Sequence, residues 1–243
     1  MLWFGSEGSK DKEKANDPVS NLVELGFSFY KNGKAEEAVN YFKQALQIKK
    51  RADLYNNLGF IYLHDGKYAK AFNAFRQALH VDGGYLPAFY NLGMVMYYGK
   101  SYQDSINIFN DIVKIPELDK TMLLHAYNDR GCALKRSSQA PEAIKSFEAA
   151  IALDDTFDRP YANLGNIYVE QGNFDEAKKM YEKAIKANDK CSAAYNGLGV
   201  VCVENGQFQE AEKHFDKAIE VDMQSNAGRI NKVILKKKKE ESQ

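Results

Sequence analysis

A glycine recurs at positions 26, 59, 93, 131, 165 and 199 of this chain, at intervals of 33, 34, 38, 34 and 34 residues. Twelve residues after each stands a small one: Ala38, Ala71, Ser105, Ala143, Ala177 and Ala211. Four further on stands an aromatic, Phe42, Phe75, Phe109, Phe147, Tyr181 or Phe215, and three beyond it Ala45, Ala78, Ile112, Ala150, Ala184 or Ala218. A pattern kept at such a period means that one small structural unit is repeated and stacked. Around the second glycine, Tyr55, Leu58, Gly59 and Tyr62 fall at i, i+3, i+4 and i+7, one face of a helix. Ala71, Phe75 and Ala78 fall at i, i+4 and i+7 of a second helix, and "HDGKY" between them offers a glycine for a positive φ. Each unit is therefore predicted to be a helical hairpin. A mid-helix glycine costs about 1 kcal/mol relative to alanine, so close approach of the two helices must offset it. This reading sets Gly59 opposite Ala71 at the helix crossing and makes the glycines contact points rather than phosphate loops.

The order of aromatic, Leu-Gly, Tyr, Ala, aromatic and Ala at this period resembles the tetratricopeptide repeat. The resemblance covers six repeats, at about 18–51, 52–85, 86–123, 124–157, 158–191 and 192–225, with a flexible tail over 1–17 and a capping helix with a basic tail over 226–243. It implies an all-α fold, a right-handed superhelical solenoid of antiparallel helix pairs. The family's proline near the end of each repeat is missing here, replaced by stretches such as "VDGG" and "LDDT".

Turn signals follow the same register: Asn32-Gly33, Asp65-Gly66, Gln171-Gly172 and Asn205-Gly206. The third repeat has "YYGKSY", its glycine one place early, and the fourth has serines in "KRSSQAPE". Pro18, Pro87 and Pro160 mark the starts of first helices and Pro141 the start of a second. The long interval puts four extra residues around "IPELDKT", Ile115 to Thr121, where Pro116 should end a helix. Either a tolerated surface insertion or a hinge fits that stretch. Because a lone hairpin cannot bury its apolar face, the last repeat needs a cover. Asn226 to about Lys239 reads as that solvating helix, with Ile230, Val233 and Ile234 on its apolar side. The four lysines Lys236 to Lys239 suit the negative end of its dipole, and a membrane or nucleic-acid contact is the alternative for them.

Composition narrows the function classes. Lysine plus arginine and aspartate plus glutamate number 33 each, so no basic excess points to nucleic acid. No apolar run approaches the ~20 residues that cross a bilayer. Three cysteines without a CxxC pair suggest a reduced, cytoplasmic protein, and five prolines without a low-complexity linker suggest one continuous body. The four histidines are dispersed, and no HExxH, GxGxxG, P-loop or serine elbow occurs. The chain is read as non-enzymatic, with no catalytic residue, metal or cofactor.

The resemblance implies that first helices line a concave face that binds a protein or peptide partner. Positions there, counted from seven residues before each glycine, are the candidates for binding. In the first three repeats they include Phe27, Tyr30, Asn56, Phe60, His64, Tyr90, Met94, Tyr97 and Tyr98. In the last three they include Asn128, Lys135, Arg136, Asn166, Glu170, Asn196 and Glu204. The first half should be aromatic, suited to recognition, and the second polar. The sixth position carries Asn57, Asn91 and Asn163, which either grip a peptide backbone or simply follow the repeat consensus. Arg159 and Asn163 supply one half of a grip on a terminal carboxylate. Val23 and Phe27 stand where its other half would be, so the chaperone-tail subclass is not expected. "MLWF" at the start, with Trp3, reads as an inconsequential tail, a membrane contact or a plug for an aromatic groove. An adaptor for a partner segment is the leading reading; a self-assembling scaffold at a membrane or organelle surface is the alternative.

Overall fold

The computed structural model describes residues 17–224 and 226–241. The "MLWF" segment, and with it the plug and anchor readings, lies outside those residues. Among the described residues there are thirteen helices and no strand. The first helices are α1 (Pro18–Lys31), α3 (Ala52–His64), α5 (Leu86–Tyr98), α7 (Lys120–Arg136), α9 (Asp158–Glu170) and α11 (Ser192–Glu204). Each is followed by a second: α2 (Ala35–Ile48), α4 (Tyr68–Val81), α6 (Tyr102–Ile112), α8 (Ala140–Leu153), α10 (Phe174–Ala187) and α12 (Phe208–Val221). The last helix is α13 (Ala227–Glu241).

Every hairpin closes in the same way. An N–H bonds back to the carbonyl five residues earlier, as in Lys34 to Phe29 at 2.9 Å, Lys67 to Tyr62 at 2.8 Å and Gln139 to Leu134 at 2.9 Å. That closure needs a left-handed residue just past the helix end. Gly66, with φ 68°, supplies it in the second hairpin, while Lys100 and Ser138, with φ 65° and 62°, are forced into it in the third and fourth.

The ring of each second helix lies on the glycine of its first. A Cβ built on Gly59 would come within 2.6 Å of Phe75 Cε1, one on Gly131 within 2.6 Å of Phe147 Cε1, and one on Gly165 within 2.5 Å of Tyr181 Cε1. What fills the space over Gly59 is therefore the ring of Phe75, not Ala71 as the sequence reading had it. Ala71 is fully buried nearby, and in the third hairpin its counterpart Ser105 donates a hydrogen bond to the Gly93 carbonyl at 2.9 Å. The six rings are essentially inaccessible to water and form the centre of each hairpin.

The chain divides after Pro116 into two compact units rather than the one body anticipated from the lack of linkers. The first holds α1–α6 and the second α7–α13. The break falls on the long interval. There α6 has 11 residues where the other second helices have 14, and α7 has 17 where the other first helices have 13 or 14. The extra residues thus lengthen α7, whose start is set by Asp119 accepting from the Met122 N–H at 3.0 Å. Within each unit, second helices pack on the next first helix, and α3 meets α5, α7 meets α9, α9 meets α11 and α11 meets α13. First helices thereby share one side of their unit.

Two stability measurements check this account. Gly59→Ala should lower stability in a urea titration by about 1–3 kcal/mol through overpacking against Phe75, although alanine gains about 1 kcal/mol of helix propensity. Pairing it with Phe75→Leu should recover part of the loss. Ser138→Gly should do the reverse and raise the thermal midpoint, since a side chain in the left-handed region costs about 1 kcal/mol.

Candidate functional site

The N-terminal unit gathers aromatic rings on its first helices. Phe60 and His64, one turn apart on α3, are stacked with centroids 4.6 Å apart. Tyr30, from the last turn of α1, stands edge-on to both, 5.8 Å from Phe60 and 6.3 Å from His64. Tyr30 and Phe60 are half-buried and His64 is exposed. Burial, and then the charge of Asp65, raises the Tyr30 phenol above its ordinary value. A second group forms at the hairpin ends, where Tyr98 (45% exposed) stacks on Tyr68 at 6.4 Å and meets Tyr97 edge-on at 5.4 Å.

The other predicted groove residues of this unit do not reach a surface. Phe27 is edge-on to Phe42 at 5.4 Å and Tyr90 to Phe109 at 5.4 Å, both within the hairpin core. Met94, Asn56, Asn57 and Asn91 are buried as well. These positions face the neighbouring helix, and a side chain there is consumed by stacking.

The asparagines form a ladder between repeats instead of facing outward. Asn91 Nδ2 donates to Asn56 Oδ1 at 2.9 Å, Asn163 to Asn128 at 3.1 Å, and Asn231 to Asn196 at 2.9 Å. Asn163 also lies 3.4 Å from Cys132 Sγ, and Asn128 donates to Asp129 Oδ1 at 2.9 Å. Asn91 and Asn163 thus bond within the repeat stack, a role that neither the peptide-grip nor the consensus reading named. Asn166 is used too, accepting from the Tyr181 hydroxyl at 2.8 Å.

The first-helix side of the C-terminal unit is polar and mixed in charge. Lys135 pairs with Glu170 at 2.9 Å, and Lys238 with Glu204 at 2.9 Å. Arg136 and Arg159 are exposed. Asn163, set beside Arg159 in the expected carboxylate grip, donates to Asn128. His125 is buried edge-on to Phe157 at 5.1 Å, and that burial lowers its pKa. Burial pushes the Cys191 thiol up to about 12, far from a nucleophile's range. Among the described residues no His, Cys, Asp and Glu side chains group to hold a metal ion, and no helix is long and apolar enough to cross a membrane.

The family profile described as the tetratricopeptide repeat protein 21 C-terminal ARM domain matches residues 86–240, more than half of the chain, and a tetratricopeptide repeat profile matches residues 18–82. The chain belongs to the tetratricopeptide-repeat family. No curated protein sequence matches it. A tetratricopeptide repeat protein from Parabacteroides merdae ATCC 43184 is similar in structure over 90% of this chain and 84% of its own, at 20% identity and a TM-score of 0.74. MamA is similar over 68% of this chain and 95% of its own, at 28% identity and a TM-score of 0.54. YrrB, described as a tetratricopeptide-repeat protein with an unusual peptide-binding site, is similar over 79% of this chain and 97% of its own, at 18% identity and a TM-score of 0.51.

For a tetratricopeptide-repeat chain the asparagine ladder was readable in outline. Each bonded pair is 35 residues apart, one more than the usual interval between glycines, which sets a fifth position beside the next repeat's sixth. The pairs Asn56/Asn91, Asn128/Asn163 and Asn196/Asn231 could have been found by that offset. If the ladder holds the repeats together, Asn91→Ala should cost about 1–3 kcal/mol by leaving the buried Asn56 carbonyl without its donor. A smaller loss in chemical denaturation would mean that water replaces the amide.

Proposed function

We propose that this chain is a non-enzymatic adaptor that captures an extended or helical segment of a partner protein on the first-helix side of its N-terminal unit. The observation that carries the reading is the cluster of Tyr30, Phe60 and His64, which joins two consecutive first helices and remains open to solvent. Clustered aromatic side chains contribute large contact area at little entropic cost, and rings of this kind dominate many recognition surfaces. Their mutual contacts hold them in place before a partner arrives, which lowers the cost of binding. Membership of a family of stacked hairpins and the likeness to YrrB, a protein described as having a peptide-binding site, support the same reading.

The test compares capture of partners from native lysate by the wild-type chain and by His64→Asp and Phe60→Ala. His64 is exposed, so its replacement should leave the melting curve unchanged while a specifically retained protein is lost. Loss of one interface ring costs about 1–3 kcal/mol, or roughly ten- to hundredfold in affinity. Retention of the same proteins by both variants would refute the placement on this cluster.

A further inference from the structure

The last helix completes one contact and leaves another open. Leu235 joins Cys202, Ala211 and Phe215 in a buried cluster. A Cβ on Gly228 would meet Ile219 Cγ1 at 3.0 Å and the Phe215 carbonyl at 3.2 Å. Asn231 continues the ladder to Asn196, and Lys232 reaches Asp216 at 2.6 Å. By these contacts α13 stands as the first helix of a further repeat. The sequence pattern predicts Ile230, Val233 and Ile234 as its covered side. They are instead 57%, 60% and 47% exposed, because Gly228, Asn231 and Leu235 make the contact with the preceding repeat.

Two substitutions on the open side change what it accepts. Val233 lies 34 residues after Gly199, where every preceding first helix has the glycine that receives a ring. Lys236 lies where α1 has Phe29 and α3 has Tyr62. Over those rings the chain lays the ammonium groups of Lys34 and Lys70, 5.6 and 5.8 Å from the ring centroids. Valine excludes the large ring, and an exposed lysine calls for a carboxylate in place of a cation.

We propose that this face of α13 docks an antiparallel amphipathic helix of a partner protein, with Asp or Glu in its first turn and alanine or glycine opposite Val233. The first turn of such a helix runs beside the C-terminal half of α13, as second helices run beside first helices throughout the chain, and so brings its carboxylates to Lys236 and Lys237. The apolar strip of Ile230, Val233 and Ile234 supplies the buried area. This chain's own second helices, from the same or a second copy, carry a large ring at the position that would face Val233, which disfavours them as occupants.

The test uses the 243-residue chain and a lactam-bridged peptide of residues 174–187, which has Asp175 and Glu176 in its first turn, made with and without Tyr181→Ala. Amide shifts at Ile230, Val233 and Ile234 are followed by NMR up to about 1 mM peptide. The Tyr181→Ala peptide should bind saturably and about tenfold or more tighter than the tyrosine form. Lys236→Glu should weaken it to a similar degree, and Val233→Gly should restore the tyrosine form. Equal binding of the two peptides, no saturation, or indifference to Lys236→Glu would overturn the proposal. So would adsorption to phosphatidylserine vesicles lost in Ile230→Asp without peptide binding, which makes the face a lipid contact. Concentration-dependent dimerisation lost in Val233→Glu would overturn it equally, in favour of a second copy.

Discussion

Each hairpin depends on one ring seated on one glycine. The Phe75 ring lies so close to Gly59 that even a methyl group would intrude, and the same holds at Gly131 and Gly165. A glycine within a helix is a local cost, and it persists because the ring that replaces its side chain is wholly buried. That contact sets how near the two helices approach, and the turn, closed by a bond five residues back, sets where they meet. Stacking then follows, since a hairpin with a filled centre still has an apolar flank that only a neighbour can cover.

Stacking also sorts the polar side chains. Asn56, Asn91 and Asn128 lie where one first helix meets the next, and a buried amide there must find a partner. The ladder satisfies donor and acceptor together and ties the register of consecutive repeats. It removes these amides from any role at a surface. What stays available in the N-terminal unit includes Tyr30, Phe60 and His64, which touch one another across α1 and α3 while Tyr30 also packs against the core.

Local and long-range control are separated most clearly at the irregular repeats. Lys100 and Ser138 adopt a left-handed backbone that neither residue prefers, because the helices on both sides fix the turn. The long interval was visible as four extra residues, yet those residues extend α7 behind the Asp119 cap, and the chain divides into two units at the same place. A proline and a count locate an insertion, but whether it becomes loop or helix depends on what caps it and what it packs against.

From the order of residues alone came the repeat, its helical hairpins and the family, since these depend on periodicity and residue size within about 34 positions. Which first-helix residues stay open was settled only in three dimensions. Tyr90 and Tyr30 are both tyrosines on first helices, but one is enclosed by Phe109 and the other reaches solvent. Likewise Ile230, Val233 and Ile234 looked like the covered side of α13 until Gly228 and Leu235 proved to occupy it. A helix pattern marks an apolar face, but burial is a property of the neighbour that arrives there, and that neighbour's position is decided by tertiary packing.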